Sequence, residues 1–495
     1  MTFIEDMFAS AGGYLWEWAV LPLVACLGLY FTIRTGVVQL RFLPHMMRLV
    51  TDRRTTTPEG GRGISSFQAF TVSAASRVGV GNIAGVGTAI VVGGPGAVFW
   101  MWLMAFVGGA SSFIESTLGQ LYKVREGSTF RGGPAHYITR GLKARWAGVL
   151  FAVILIVCFP FAFSSLQANT IGATLAAAVG GETPGWLMPA IGIILAALTA
   201  AVIFGGARRI ASVTAKLVPS MALLYLMVGL VIVVLNFDHL GTVFGQIVGD
   251  AFSGQSVAGG AIGTVIMVGV QRGMFSNEAG LGSVPNAAAS ANVSHPVKQG
   301  LVQTLGVYFD TFLVCSITAF IILVTAPELA GAERGIALTQ GALVDNLGSW
   351  TTVLLALVIF LLAFSSILGN YFYGESNLEF IARGRTALAV YRTLAVAAVF
   401  GGTVASASLV WTAADAIMGV MALVNLVAIA FLSPIAFRLL RDYGRQLREG
   451  RDPEFRHADM PDLEGIEAWG PRAAESADDD DLDGDADRRR EPALV

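Results

Sequence analysis

The stretch Ala74-Ala-Ser-Arg-Val-Gly-Val-Gly-Asn-Ile-Ala-Gly-Val-Gly87 decides how this chain folds. It lies inside an apolar segment long enough to cross a bilayer, yet it carries four glycines and several polar groups near mid-depth. Glycine disfavours helix, and non-helical backbone at membrane depth is tolerated only where it lines a cavity inside the protein. We therefore predict a helix that is broken here.

A second stretch, 269–285, has the same character. It reads Gly269-Val-Gln-Arg-Gly-Met-Phe-Ser-Asn-Glu-Ala-Gly-Leu-Gly-Ser-Val-Pro285 and combines glycines with two charged residues in an apolar segment. We predict a second broken helix, interrupted near Ser276-Asn277-Glu278. Paired interrupted segments at matching positions of two halves are the best sequence indicator of a transporter's binding site.

The composition places the chain among integral membrane proteins. Of its residues, 54% are hydrophobic and only 14% are charged, and the apolar residues occur in long blocks. A block of about 20 apolar residues is what a helix needs to cross the hydrocarbon core. We expect eleven transmembrane helices, at 14–33, 65–94, 95–121, 147–170, 185–205, 217–236, 258–291, 299–325, 350–373, 386–402 and 412–437.

The loops between these segments predict the orientation. Every second loop is rich in Lys and Arg, beginning with 34–62, and the alternate loops are mainly acidic. Since basic loops remain on the cytoplasmic side, we expect a multi-pass protein of a bacterial-type inner (plasma) membrane, with its N-terminus outside and its C-terminus in the cytoplasm.

The broken helices are the second and the seventh, so each begins a block of five, and the two blocks run in opposite directions. We predict an all-α membrane fold of two inverted five-helix repeats. Residues 1–63 form an extra N-terminal helix and a basic cytoplasmic loop, 64–236 the first repeat, and 258–437 the second. Residues 438–495 are expected to be a cytoplasmic, largely disordered acidic tail.

At the first break, the freed backbone offers groups for two ligands. The N–H groups around Gly79, Gly81 and Asn82 are expected to face a substrate carboxylate, because a helix N-terminus carries partial positive charge. The carbonyls of Ala75 and Val78 are expected to bind sodium. Ser365 and Ser366 of the ninth segment add hydroxyl ligands for that ion, although serines in membrane helices often bond their own backbone instead.

The glycine pattern has two other interpretations. Gly79-Val-Gly-Asn-Ile-Ala-Gly85 falls short of a dinucleotide-binding loop, because alanine stands at the sixth position and no strand precedes it. Close packing between helices is the more serious alternative.

At the second break, Phe275, Ser276, Asn277 and Glu278 are candidates for substrate binding. An acid at mid-membrane is costly unless it has a partner, so Glu278 either serves the substrate or pairs with Arg77 or Arg272 to hold the break together. Gln167 and Asn169 of the fourth segment are amides that either donate to a substrate carboxylate or link helices to each other.

These motifs resemble one family. Gly79–Val86, Gly93-Gly-Pro-Gly-Ala97, Arg131-Gly-Gly-Pro134 and especially Gly273–Ser283 are similar to the alanine or glycine:cation symporters. The bacterial alanine/sodium branch also shares Ser65–Phe70 and Ser294–Gly300. The resemblance implies eleven helices, a core of the leucine-transporter type, and coupling to sodium or protons.

One position departs from the family pattern. Many members have a tryptophan beside the substrate pocket where this chain has Asn370, and some relatives with asparagine there are associated with glutamine. We therefore expect Asn370 to contact the substrate, and the family leaves the choice between alanine and glutamine open.

The expected function is secondary active symport of a small neutral amino acid, alanine or glycine, with sodium. The coupling ion is the only cofactor expected, and the expected partners are the amino acid, sodium and the lipid bilayer. We expect neither nucleic acid nor an obligate protein partner, and no enzymatic activity. A glutamine or asparagine symporter is the alternative, and a proton-coupled symporter, an uncoupled facilitator and a transporter-like sensor are rivals.

Overall fold

The computed structural model describes residues 3–51, 64–126, 129–179, 184–252, 261–325, 327, 329, 332 and 335–470. These residues are almost entirely helical. A two-stranded antiparallel hairpin, β1 (Val124–Glu126) and β2 (Thr129–Arg131), pairs Val124 with Arg131.

The helices follow one another with short connections. In chain order they are α1 (Phe3–Leu15 continuing through a π-helical turn, Trp16–Val20, into Leu21–Arg34), α2 (Val38–Arg41), α3 (Leu43–Val50), α4 (Ser66–Arg77), α5 (Ala84–Gly93), α6 (Gly96–Leu121), α7 (Pro134–Gly141), α8 (Arg145–Val179), α9 (Leu187–Ile203), α10 (Gly206–Leu235), α11 (Leu240–Ala251), α12 (Ala261–Asn277), α13 (Pro285–Ser290), α14 (Pro296–Leu323), α15 (Ile336–Leu347), α16 (Thr351–Ile381), α17 (Arg385–Val404) and α18 (Ala407–Arg448).

Eight of these helices are long and apolar enough to cross a membrane: α1, α6, α8, α10, α14, α16, α17 and α18. The pair α4 and α5 makes a ninth span when it is taken as one bent unit. Helix α9 is apolar but has only 17 residues, and α12 is also 17 residues long. The prediction of a multi-pass helical membrane protein is therefore confirmed, whereas the count of eleven and the division into two repeats stay predictions.

Both predicted breaks are present. Helix α4 ends at Arg77 and α5 begins at Ala84, and the segment Val80–Gly93, which includes α5, is bent by 60° from α4. Helix α12 ends at Asn277, and α13 does not begin until Pro285. Helix α4 starts with a reciprocal cap, in which Ser65 accepts from the Gln68 N–H and Gln68 accepts from the Ser65 N–H.

The predicted tail begins later than we expected. Residues 438–448 continue α18, and residues 449–470 fold back onto the protein. The Phe455 N–H donates to the Ser294 carbonyl at 2.8 Å, and the Trp469 indole donates to the Gln120 and Leu121 carbonyls. Phe455 and Trp469 are both buried, so apolar burial explains why this part does not behave as an acidic tail. The Asp-rich run lies in 471–495, outside the described residues.

Candidate functional site

The break between α4 and α5 is lined by backbone and by neutral polar side chains. A short 3-10 turn, Val80–Asn82, fills it. The Gly79 N–H donates to the Asn82 side chain at 2.9 Å, and the Val80 N–H donates to Gln167 Oε1 at 3.1 Å. A Cβ at Gly79 would collide with Ser366 Oγ, so α16 comes this close only because residue 79 is glycine.

Two serines of α16 face the end of α4. Ser365 Oγ lies 3.5 Å from the Ala75 carbonyl oxygen, and Ser366 Oγ lies against Gly79. Helix α16 can approach this closely because residue 369 is glycine. A Cβ there would lie only 2.7 Å from the Ser76 nitrogen. Both serines are fully buried.

The same serines also bond within their own helix. Ser365 donates to the Leu362 carbonyl at 2.8 Å and Ser366 donates to it at 3.1 Å, as the alternative interpretation expected. The structure thus brings together Ser365, Ser366 and Ala75, with Val78 at the turn where α4 ends. These oxygens are of the kind that a hard cation such as sodium prefers.

The break between α12 and α13 is longer and is built around carboxylates. Glu278 has a φ of 57°, a left-handed conformation that is rare for a residue with a side chain, and Gly280 and Gly282 also have positive φ. Glu115 of α6 accepts the N–H groups of Gly280 at 3.2 Å and Gly282 at 3.1 Å. Asn425 of α18 adds a hydrogen bond to Glu115 at 2.7 Å. Glu115 therefore caps the backbone that the break exposes.

Glu278 links the two breaks. Its Oε1 accepts from Ser76 Oγ of α4 at 2.6 Å, and its Oε2 accepts from Ser283 Oγ at 2.6 Å. Neither Arg77 nor Arg272 forms an ion pair with Glu278. Arg272 pairs with Asp415, and Arg77 donates to the Gln303 carbonyl at 3.1 Å. The direct partners of Glu278 in the structure are therefore two serine hydroxyls, and neither arginine is in direct contact with it.

A second buried carboxylate, Asp310 of α14, completes this polar region. Asn82 donates to Asp310 Oδ1 at 2.6 Å, and Ser276 donates to Asp310 Oδ2 at 2.5 Å. Asn82 also donates to Ser276 Oγ at 3.0 Å. The two broken helices and α14 thus share one hydrogen-bonded cluster.

Aromatic rings cover one side of the first break. Phe275 lies against Gly81, where a Cβ would meet its ring at 2.8 Å. Gly81 therefore also permits close packing, which is the alternative interpretation of the glycine pattern. The Phe275 ring centroid is 4.8 Å from that of Phe163 and 5.4 Å from that of Trp411. The Arg272 guanidinium lies 5.3 Å from the Trp411 centroid and joins α12 to α18 through its ion pair with Asp415.

The other predicted candidates have structural partners. Gln167 supports the first break through Val80, whereas Asn169 donates to the carbonyls of Gly402 and Ala405 in and beside α17. Asn169 therefore follows the alternative of linking helices. Asn277 donates to Thr311 at 3.1 Å and accepts from the Ala279 N–H at 3.0 Å, which shapes the second break.

Asn370 lies beside both breaks. Its Oδ1 is 2.7 Å from Ser76 Oγ, the hydroxyl that also reaches Glu278, and its buried Nδ2 has no hydrogen-bond partner within the described residues. The neighbouring Tyr371 does not serve it, because the Tyr371 hydroxyl bonds to Glu375 and accepts from Arg392.

Comparisons with known proteins identify the family of this chain. The profile of the sodium:alanine symporter family matches residues 1–457. The chain belongs to the sodium:alanine symporter family. It is 47% identical over 468 residues to the amino-acid carrier protein AlsT of Bacillus subtilis, covering 94% of this chain and 98% of AlsT. It is 44% identical to the probable sodium/glutamine symporter GlnT of the same organism, covering 94% of this chain and 96% of GlnT.

The fold of this symporter family member also matches a solved structure. The crystal structure of MhsT in complex with L-phenylalanine aligns with a TM-score of 0.50 at 12% identity, and the alignment covers 77% of this chain and 99% of MhsT. At that identity the match supports the fold alone, which is that of the leucine-transporter type. The family resemblance predicted from the motifs is confirmed by the family profile and by AlsT.

Several residues of the symporter's candidate site were not predicted as ligands from the sequence. Ser76 joins Glu278 to Asn370, and the Arg272–Asp415 pair with Trp411 closes the aromatic side. Of these residues, Asp415 could have been found from the sequence, since an acid within the eleventh apolar segment indicates a functional or paired group. Ser76 has no such signal, because its role depends on how closely α16 approaches α4.

Proposed function

We propose that this protein is a secondary active transporter that couples sodium entry to the uptake of a small neutral amino acid, alanine in the first instance. The observation that carries the proposal is the position of Ser365 and Ser366 against the broken end of α4, within a chain of the sodium:alanine symporter family. No enzymatic step is needed for this activity.

The two breaks differ in a way that supports one orientation of the amino acid. At the first break, the neutral side chains of Asn82 and Gln167 bond to the backbone N–H groups, and within the described residues no carboxylate bonds to this backbone. The N-terminal end of α5 is thus suited to the substrate carboxylate. Glu278 provides negative charge near the ammonium group, because its oxygens lie between the breaks.

Sodium binds, in this proposal, between α4 and α16, with Ala75 and Val78 carbonyls and the Ser365 and Ser366 hydroxyls as ligands. An ion held there stabilises the conformation in which α16 contacts the break, and the same conformation forms the substrate site. By linkage, sodium and the amino acid then raise each other's affinity by the same factor. Alternating access follows from movement of the broken helices against the remaining ones.

A specific observation favours glutamine as the second candidate substrate. The Asn370 Nδ2 is buried without a partner, and leaving a buried donor unsatisfied costs about 1–3 kcal/mol. The side-chain amide of glutamine carries an acceptor of the kind that this nitrogen needs, whereas the methyl side chain of alanine carries none. The relative GlnT is itself a probable sodium/glutamine symporter.

Uptake into proteoliposomes tests the proposal. Purified protein is reconstituted, and labelled alanine, glycine, glutamine and asparagine are offered with an inward sodium gradient, with equal sodium on both sides, or with an inward proton gradient. We expect accumulation above equilibrium only with the sodium gradient. Accumulation driven by the proton gradient alone would replace sodium as the coupling ion, and equilibration without accumulation would make the protein a facilitator.

The proposed orientation has its own test. In a variant without Cys26, Cys158 and Cys315, we expect a cysteine at the exposed position 185 to react with an impermeant reagent in intact cells. A cysteine at the exposed position 385 should react only after the cells are opened. The reverse pattern would invert the topology.

A further inference from the structure

A basic cavity of about 390 Å³ lies apart from the two breaks. It is enclosed by the β1–β2 hairpin, α7, the first residue of α8 and the last turn of α16. Four arginines and two glutamates contribute to its wall: Arg131, Arg140, Arg145, Arg383, Glu126 and Glu379. Among these lining residues, positive charges outnumber negative ones.

Two of these arginines are already neutralised by acids. Arg131 pairs with Glu375 at 3.0 Å and with Glu379 at 2.7 Å, and Arg140 pairs with Glu467 at 2.8 Å. Arg145 and Arg383 are exposed and form no ion pair with any residue that the structure describes. Arg145 and Arg383 are therefore the two lining cations that are free to meet an anion.

Buried polar atoms without partners also line the cavity. His136 Nδ1 and Ser376 Oγ have no hydrogen-bond partner within the described chain, although His136 is only 6% exposed and Ser376 only 1%. Burial, together with the nearby Arg140, Arg383 and Arg131, lowers the pKa of His136 to about 3, so the imidazole is neutral at physiological pH. Buried polar groups normally find a partner in protein, water or a ligand, so both atoms are available to a ligand that enters the cavity.

The surface beside the cavity is apolar and exposed. Trp146, Leu150, Val153 and Val157 of α8 are spaced by three or four residues, so they form one face of the helix, and Trp146 is 75% exposed. This face begins next to Arg145. Tryptophan is enriched where a membrane helix meets the headgroup region, which puts the cavity at the level of lipid headgroups.

We propose that this cavity binds the phosphate group of an anionic phospholipid. Arg145 and Arg383 neutralise the phosphate charge, and the His136 ring and the Ser376 hydroxyl complete its hydrogen bonds. The acyl chains lie along the exposed face formed by Trp146, Leu150, Val153 and Val157. A basic pocket between transmembrane helices is a known way of recognising such headgroups.

A second basic cavity, of about 570 Å³, shows why the first is preferred. Arg34, Arg41, Arg441 and Arg448 line it, so its charge is at least as positive. Its described lining residues nevertheless contain no buried polar atom without a partner. Positive charge alone therefore does not distinguish the cavity beside α7, whereas the unsatisfied polar atoms do.

Lipid binding to the purified, delipidated protein tests the proposal. The probes are phosphatidylglycerol, phosphatidylcholine and inorganic phosphate, and the readouts are the dissociation constant and the thermal unfolding midpoint. We expect phosphatidylglycerol to stabilise the protein and phosphatidylcholine to have little effect. Arg145→Gln with Arg383→Gln should weaken phosphatidylglycerol binding by at least about tenfold, because each removes a charge-assisted contact.

Two further variants make the result specific. Ser376→Ala removes a hydroxyl that has no protein partner, so it should weaken lipid binding several-fold without lowering the unfolding midpoint of the lipid-free protein. The control, Arg209→Gln with Lys216→Gln, removes two exposed cations of α10 that do not line the cavity and should bind lipid as the wild type does.

Three results would overturn the proposal. Equal phosphatidylglycerol binding by the Arg145/Arg383 variant and the wild type would remove the cavity from lipid recognition. An equal loss in the control would reduce the effect to general surface charge. Stabilisation by inorganic phosphate as strong as that by phosphatidylglycerol, lost in the same variant, would replace the lipid by a free phosphate compound. None of these measurements uses transport, so they test the lipid proposal independently of the proposed function.

Discussion

Both helix breaks leave backbone N–H groups without partners in a helix, and the protein satisfies these groups with different side chains at each break. Between α4 and α5, the freed backbone is short and neutral amides support it, with Gln167 and Asn82 as the partners. Between α12 and α13, the gap is longer and the carboxylate of Glu115 accepts two backbone N–H groups. The first break therefore keeps its partial positive charge available, whereas the second has already been neutralised by the protein itself.

This difference gives the site a polarity. An amino acid carries one carboxylate and one ammonium group, and a site with like charge at both breaks would repel one of them. Glu115 accepts backbone N–H groups of the second break, Glu278 lies between the two breaks, and Asp310 reaches the first break only through the Asn82 side chain. We infer that the breaks are not interchangeable, and the following predictions test that inference.

The largest effect is expected from Glu115→Ala. The change leaves the N–H groups of Gly280 and Gly282 buried without an acceptor, at about 1–3 kcal/mol for each group. We expect a loss of unfolding free energy of about 2–6 kcal/mol and no measurable uptake. Thermal unfolding of the purified protein measures it. The control is Ser111→Ala in the same helix, which removes a buried hydroxyl without a described partner and should leave the unfolding midpoint close to that of the wild type.

Glu278→Gln is expected to abolish most transport while the protein still folds. The amide keeps the shape of the side chain and can still accept from Ser76 or Ser283, but it removes the negative charge that we propose faces the ammonium group. Uptake should fall to below about a tenth of the wild-type rate at every pH between about 5 and 8, a window that would expose a group titrating near neutrality.

Ser283→Ala is the matched control for Glu278→Gln, because it removes one hydrogen bond to Glu278 and keeps the charge. It should reduce uptake only moderately. A Glu278→Gln protein that transports well and merely loses a pH dependence of the wild type would contradict the charge argument and would indicate proton coupling.

The sequence predicted the breaks but not what supports them. Glycines and polar residues within an apolar segment can be recognised from the local sequence alone. For this reason α4 and α12 end near the positions that the sequence predicts. The identity of each partner depends on distant contacts: Glu115 lies 165 residues from Gly280, and Ser76 lies 294 residues from Asn370. Asn169 shows the same limit, because no local pattern indicates that its amide is used by α17.

The double change Ser365→Ala with Ser366→Ala tests the first break as a cation site. Removing two hydroxyl ligands from a dehydrated ion should cost at least about 1–3 kcal/mol, which raises the apparent sodium constant roughly tenfold or more. Sodium-dependent alanine uptake measures it. The control, Ser433→Ala in α18, removes a buried serine that bonds to its own helix at 2.9 Å and should leave the sodium constant unchanged. An unchanged constant in the double variant would remove both serines from the site.

The smallest effect is expected at Asn370, where the two breaks meet. Ser76 Oγ lies 2.6 Å from Glu278 and 2.7 Å from Asn370, but a hydroxyl carries one hydrogen and can donate to only one of them at a time. Whichever way the Asn370 amide is turned, Ser76 can serve only one of its two ends, and a substrate amide would supply a partner for the other. If glutamine supplies that amide, unlabelled glutamine should compete with labelled alanine for uptake. Asn370→Trp should then shift the preference toward alanine by about fivefold or more, since a lost hydrogen bond of this kind is worth about 1 kcal/mol.

Asn370→Leu separates size from polarity, because it removes the amide without adding the bulk of tryptophan. The shift should be similar in the two variants if the hydrogen bond is its cause. Indifference of alanine uptake to a large excess of glutamine would leave alanine as the substrate and would make the Asn370 amide part of the packing between α4 and α16.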